Sequence, residues 1–303
     1  MMYKGLYISD VILARLDSRS LALEPRERFV VTQQDIHRMA GIKLEHDSMF
    51  RGDQYNHVDL FDPLYTEVPS SFFDNIQLAV MSYWIPEFDP EYSAFGTYVQ
   101  NKCELSCPFL DVSERGSLSP NVALTVAMEY ALADDLVEQA LLMAFEQSTV
   151  PVAENSYHAL PKFSSSGIVK LTAEPEGNHI KLLASRVISE FEVSSENFKL
   201  AHYLEELLEQ LGVPQGQVIL SFKRNTSIFK TYNYHLEADC LTSYAMDFVD
   251  PAPSCMTVMR WLHQKQHTPI WLSEFAILID EDEESLSAHC LVIQNLAQSG
   301  EHK

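Results

Sequence analysis

Glycine is scarce in this chain, 10 residues of 303, where ordinary usage of about 7% gives about twenty. Phosphate-cradling loops need closely spaced glycines, and neither G-x-G-x-x-G nor G-x4-G-K-[ST] occurs. Both nucleotide-binding fingerprints are thereby excluded. Basic side chains are also short: 21 Lys and Arg face 43 Asp and Glu, a formal net charge of −22. A polyanion or an anionic bilayer is drawn to surfaces rich in Lys and Arg, so neither nucleic acid nor a membrane is expected as a partner. No apolar run approaches the roughly 20 residues that span a bilayer. The opening MMYKGLYISDVILARLD carries Asp10, Arg15 and Asp17 in or beside its apolar stretch and lacks a small-residue cleavage site. It reads as a first strand and not as a signal peptide. Paired cysteines are missing too. Five occur, at Cys103, Cys107, Cys240, Cys255 and Cys290, an odd number at irregular spacing that argues for buried thiols in a reducing cytoplasm. Cys103 and Cys107 have no second pair or nearby His, which is too little for zinc. His263 and His267 stand four apart without the Glu of H-E-x-x-H or a third ligand, and His46, His57 and His158 lie in polar, loop-like text with no ligand spacing. No metal and no cofactor are expected.

What is present is a core. Apolar residues make up 46% of the chain and aromatics 11%, too much for disorder. No repeat of solenoid length and no low-complexity linker occurs. Short apolar runs alternate with helical patterns. Strands are expected at Tyr3–Ala14, Ile76–Tyr83, Pro108–Val112, Glu138–Phe145, Ser166–Ala173, Lys181–Phe191, Gln217–Phe222, Ile270–Ile279 and Ser287–Gln294. Helices are expected at Glu91–Lys102, Asn121–Leu136, Phe198–Leu211 and Ser254–Gln264, the third ended by Gly212 and Pro214. The acidic run Asp280–Glu284 reads as a solvated hairpin loop. Two successive α/β halves, residues 1–175 and 176–303, give a layered α/β architecture.

No G-x-S-x-G elbow occurs. The nearest feature is Gly116-Ser117 in SERGSLSP, between a short strand and an apolar helix. A strand-to-helix turn exposes a nucleophile and lends it the helix dipole. Ser117 therefore reads either as a nucleophile or as a plain helix cap.

At this junction the chain resembles the β-ketoacyl-ACP synthase III family of the thiolase superfamily. Cys107-Pro108-Phe109-Leu110-Asp111-Val112 is similar to the family's C-P-A-F-D-[LV] strand, which leads to the catalytic Cys at the start of a buried helix. IQLAVMSY resembles the preceding strand, and SSSGIVKL the family's G-D-G-A-G-A-A-V-L strand. ERFVVTQQDIHRMAGI resembles D-E-W-I-x-x-R-T-G-I, and AHYLEELLEQLGVPQGQVILSF the helix and strand after the catalytic His. The resemblance is patchy but runs in order over most of the chain. It implies the thiolase-like αβαβα fold with two pseudo-repeated halves.

The departures bear on activity. In the family a Cys takes the acyl group, and a His and an Asn bind the extender's thioester carbonyl. Here the Cys position falls on Gly116, the His position near Asn197, and the Asn position on Asn225 of Asn225-Thr226-Ser227. Neither Gly116 nor Ser117 forms a thiolate. His202 is the nearest histidine a slip of register reaches. The family's glycine-rich loop after a C-terminal strand is matched to Ala276-Ile277-Leu278, whose side chains are expected to fill the acyl site. The resemblance thus implies a non-catalytic subunit, similar to the inactive partner in alkylquinolone synthases and to chain-length factors. Such subunits dimerise with an active ketosynthase III-like chain through a central strand, and acyl-CoA or acyl carrier protein meets the partner. An acidic chain would repel an acidic carrier protein, and Arg26, Arg28 and Arg38 are interleaved with Glu24, Glu27 and Asp35. The alternative is an acyltransferase with Ser117 as nucleophile and His202 as base. A small-molecule binding protein has no sign in its favour beyond size.

Overall fold

The run Gln139–Glu146, QALLMAFE, shows how the sequence builds the interior. Successive strand residues point to opposite faces. Leu142 and Ala144 enter one apolar cluster, while Leu141, Met143 and Phe145 enter another. A strand covered on both faces reads as a continuous apolar run and shows no alternation.

The computed structural model describes residues 6–17, 26–45, 52–87, 89–113, 115–133, 136–149, 161–174, 180–195, 198–224, 226–232, 244–250, 252, 254–268, 273–282 and 284–299. In chain order these form β1 (Leu6–Arg15), α1 (Glu27–Met39), α2 (His57–Glu67), β2 (Leu78–Tyr83), α3 (Phe95–Lys102) and β3 (Phe109–Val112). A 3-10 turn, Gly116–Leu118, leads into α4 (Ser119–Ala133), followed by β4 (Gln139–Glu146) and β5 (Ser165–Thr172). Then come β6 (Ile180–Ile188), α5 (Glu190–Val193), α6 (Leu200–Leu211), β7 (Val218–Lys223) and a helical segment over 227–232 (α7). β8 (Ala245–Val249), α8 (Thr257–His267), β9 (Phe275–Asp282) and β10 (Ser287–Asn295) follow.

All ten strands join one sheet in the order β3-β2-β4-β5-β1-β6-β10-β9-β7-β8. Numbered within its own half, each set of five reads 3-2-4-5-1, and the pairing senses repeat strand for strand. β2 is parallel to β3 and β4, as β7 is to β8 and β9. β5 runs antiparallel to β4 and β1, as β10 does to β9 and β6. The halves meet where β1 crosses β6 over Leu6↔Leu182, Tyr7↔Lys181 and Ile8↔Ile180.

Helices α4 and α8 form the middle layer. α4 packs on β2, β4 and β6, and α8 on β1, β5 and β9, so each touches both halves of the sheet. α2 and α3 cover the outer face of the first half, and α6 that of the second. The result is αβαβα. α6 buries Leu200, Leu204, Leu207 and Leu208, and truncating such a leucine to alanine costs about 2–5 kcal/mol. Gly212 ends α6 in the left-handed region, φ 66°, which glycine reaches without the strain a Cβ brings.

Several boundaries differ from the expectation. β6 stops at Ile188 because Ser189 and Glu192 form a capping box that starts α5, so Phe191 is not in a strand. β3, read from the short apolar text Pro108–Val112, is an edge strand, half-covered, with Asp111 exposed. His57 is not in a loop. It opens α2, which Asn56 and Asp59 cap reciprocally, and it is buried. α1 and β8 were not assigned from the sequence. The largest correction is β9: it begins at Phe275 and carries Asp280, Glu281 and Asp282 within it, all buried.

Candidate functional site

The turn before α4 is closed by a carboxylate. Gly116 has φ +56°, and a Cβ built there would lie 2.6 Å from Asp282 Oδ2 and 2.9 Å from Asp282 Cγ. Only glycine fits both the backbone and the space. Ser117 is buried and donates its backbone N–H (3.3 Å) and hydroxyl (3.0 Å) to Asp282 Oδ1. Ser285 N–H donates to Asp282 Oδ2 at 3.1 Å. The Ser119 hydroxyl returns to the Gly116 carbonyl at 3.1 Å. An anionic side chain thus sits on the N-terminal turn of the buried helix, where the unpaired N–H groups and the dipole favour it.

Two residues earlier in β9, and therefore on the same face, Asp280 is fully buried and pairs with Lys223 Nζ at 2.7 Å. Burial pushes the Asp280 carboxyl up, while Lys223 and Asn121 of α4 oppose that shift. His289 lies beside Asp280 in the register of β10 and β9. Burial pushes its imidazole down to about 3, so the ring is neutral. Asn121 Nδ2 lies 3.4 Å from its Nδ1, and Ser185 and Thr125 hydroxyls lie 2.9 Å and 3.1 Å from its Nε2. An amide N–H donates to Nδ1, which assigns the ring proton to Nε2. On the other face of β9, Glu281 accepts the Ile228 N–H at 3.0 Å at the start of α7.

The arrangement is a buried polar network under a capped helix, in which the Asp280 carboxylate is held by its ion pair with Lys223 and Asn121 Oδ1 has no hydrogen-bond partner among the described residues. Among the described residues no group of three His, Cys, Asp or Glu is placed to hold a metal ion. Among the described residues burial holds the cysteines toward the thiol form, Cys107 included. Burial pushes Cys103 and Cys290 up to about 12, and Cys255 well above its usual range. Cys240 lies outside the described residues.

The sequence reading located part of this. Gly116 and Ser117 stand at the start of the buried middle-layer helix, and Ser117 is bound to a carboxylate there. Asn197 and Asn225 lie outside the described residues, as do His46 and His158. His202 is exposed on α6, and no hydrogen bond among the described residues joins it to Ser117. Ala276, Ile277 and Leu278 are not a loop and do not fill the space at Gly116. They are mid-strand in β9, with Ala276 and Leu278 facing the middle layer and Ile277 the outer cluster. The turn after that strand comes after Asp282, and the Asp282 side chain is what occupies the space. His263 and His267 are neighbours on α8, their rings tilted by 58° with centroids 4.3 Å apart. Asp280, Asp282, Lys223 and His289 were missed. The available signal was the period of two, which carries Ala276 and Leu278 on to Asp280 and Asp282, and Leu291 back to His289.

No family profile and no curated protein matches the chain. Solved structures match over nearly its whole length. The tetronic acid condensing enzyme AbyA1 aligns with a TM-score of 0.62 at 12% identity, covering 96% of this chain and 100% of that one. A variant of OleA from Xanthomonas campestris aligns with a TM-score of 0.58 at 10% identity, covering 97% and 99%. The 3-oxoacyl-(acyl carrier protein) synthase III FabH of Pseudomonas aeruginosa aligns with a TM-score of 0.55 at 11% identity, covering 96% and 98%. The chain shares the thiolase-like fold of these structures. No helix of the described residues is long and apolar enough to cross a membrane.

Proposed function

We propose that the chain is a non-catalytic, ketosynthase III-like subunit that pairs with an active condensing enzyme in specialised fatty-acyl, polyketide or other secondary-metabolite assembly. One observation carries this reading. Where a thiolate would stand at the head of α4, Gly116 has no side chain, and the Asp282 carboxylate takes the volume that one would need. An anion there opposes both a second anion and an acyl thioester. The subunit's contribution is its fold and a surface that stabilises the partner and shapes the partner's acyl pocket. Its sheet ends in the half-covered strand β3, whose unpaired N–H and C=O groups are a template for a second chain.

The alternative, an acyltransferase using Ser117, draws on the Ser117 hydroxyl donating to Asp282, a carboxylate able to accept its proton. The test is co-expression with an active ketosynthase III from the same organism, purification through a tag on this chain, and mass determination of the complex. A one-to-one complex whose condensing activity needs both chains supports the proposal. A chain that stays alone, and turns over acyl thioesters by itself, overturns it.

A further inference from the structure

The middle layer has two helix starts, each with a carboxylate on it, and a cavity opens beside one of them. At α4 the Asp282 carboxylate closes the turn. At α8 a cavity of about 520 Å³ opens, lined by residues of β1, β4, β5 and the approach to α8. That volume lies in the range of small-molecule sites. Its floor is buried: Glu146, Ser165, Ser166 and Met256. Its mouth is cationic, with Arg15 and Lys162 exposed beside Phe163.

The charges are not equally engaged. Glu146 accepts the Cys255 N–H at 2.6 Å and the Ser165 hydroxyl at 3.1 Å, and Arg260 lies 3.4 Å from it. Arg260 also donates to the hydroxyls of Ser254 (3.0 Å) and Ser165 (3.1 Å). Glu146 and Arg260 therefore neutralise each other within a fixed network. Arg15 lies over the Phe163 ring, 3.8 Å from its centroid, and among the described residues neither Arg15 nor Lys162 forms an ion pair with a carboxylate. Asp250, the other acid of the lining, accepts the Ala252 N–H. Two cations at one mouth with no carboxylate partner among the described residues stand out in a chain of net charge −22. Leu13, Ala14 and Met256 are the aliphatic part of the lining.

From this geometry we infer that the cavity at the start of α8 binds a small amphipathic anion. A carboxylate or phosphate head meets Arg15 and Lys162, and an apolar body of medium-chain acyl size lies along Leu13, Ala14 and Met256. A guanidinium fork and an ammonium suit either head. The inference goes beyond the subunit reading and does not depend on it, since neither Gly116 nor a partner chain enters the argument.

The test is isothermal titration calorimetry on the full chain with octanoate, octyl phosphate and octanol. Saturable one-to-one binding of at least one anion is expected, with octanol silent at the same concentrations. The Arg15→Gln/Lys162→Gln double variant, which alters exposed side chains only, should weaken it about tenfold or more, the worth of about 1.4 kcal/mol, with an unchanged melting temperature. The preferred anion distinguishes a carboxylate head from a phosphate head. Failure of both anions to saturate, equal binding of octanol, or unaltered affinity in the double variant would overturn the inference.

Discussion

Glu146 holds the place in the first half of the sheet that Asp282 holds in the second. Each is the last residue of an eight-residue strand, β4 or β9. Each turns its carboxylate onto a backbone N–H two positions before a middle-layer helix: Glu146 onto Cys255 before α8, Asp282 onto Ser117 before α4. Strand order and pairing sense already repeat between the halves, and here the repeat reaches individual side chains. The same device, an acid on a helix start, therefore stabilises both ends of the layer.

Covalent chemistry at the α4 turn is the first expectation. Incubation with acyl-CoA should leave the intact mass of the chain unchanged. An added acyl mass that maps to Ser117 and disappears in Ser117→Ala would promote the acyltransferase alternative.

Gly116→Ala should destabilise the chain by about 1–3 kcal/mol, since it forces a Cβ into the left-handed region and against Asp282. Asp282→Ala should also destabilise, by removing the acceptor of Ser117 and Ser285. The double variant should cost less than the sum, because the clash needs both side chains. Urea midpoints read the cycle, and strict additivity would show that the two residues do not compete for space.

The buried pair Lys223–Asp280 gives a larger effect. Lys223→Met strands a carboxylate with no exposure and should cost about 3–5 kcal/mol. Lys223→Met with Asp280→Leu should recover most of that loss, since replacing both members of a buried pair is often close to neutral. Chemical denaturation of the three variants checks the order.

Acid should unfold the chain partly through two histidines. Burial pushes His57 and His289 down to about 3, while an unfolded histidine titrates near 6.5. Between those values the unfolded state binds the extra proton, so stability is present above about pH 6.5 and is lost as pH falls, by about 1.4 kcal/mol per pH unit for each ring. Glu87 acts in the opposite sense. Burial pushes it up to about 6, so its contribution is present below its unfolded value and is lost as pH rises through about 6. His57 Nε2 has no hydrogen-bond partner among the described residues, and rings of Tyr83, Phe95 and Phe145 surround it. His57→Phe should therefore flatten the stability–pH curve between about 6.5 and 3 by one proton's worth. Parallel curves for variant and parent would count against a buried neutral ring.

For the proposed partner, amides of Phe109–Val112 should exchange with deuterium more slowly in the complex than in the chain alone. Unchanged exchange at β3 would place the contact elsewhere, or nowhere.

Much of the fold was legible because strands buried on both faces leave continuous apolar runs, as at Leu78–Tyr83 and Gln139–Glu146, and because α6 carries a leucine stripe ended by Gly212. The site was legible only at Gly116 and Ser117. The acids of β9 were misread because a charge run normally marks solvated surface. Here Asp280 is held by Lys223, Glu281 by the Ile228 N–H, and Asp282 by Ser117 and Ser285. Apart from Ser285, three residues on from Asp282, those partners lie about 50 to 165 residues away in sequence, and no local pattern announces them. His57 was misplaced for a similar reason: its capping box was present in the text, but its burial depends on rings from β2, α3 and β4.

The shared middle layer has a consequence for how the chain comes into being. α4 belongs by sequence to the first half yet rests on β6, and α8 belongs to the second yet rests on β1 and β5. The central apolar cluster draws on both halves, from Leu6 to Ile293. On a ribosome, residues up to about Thr172 emerge with α4 covered on one side only. They wait bare until α8 and β6 arrive. Closing the middle layer therefore requires both halves, and a chain stopped between Thr172 and Ile180 lacks the residues that cover the other side of α4.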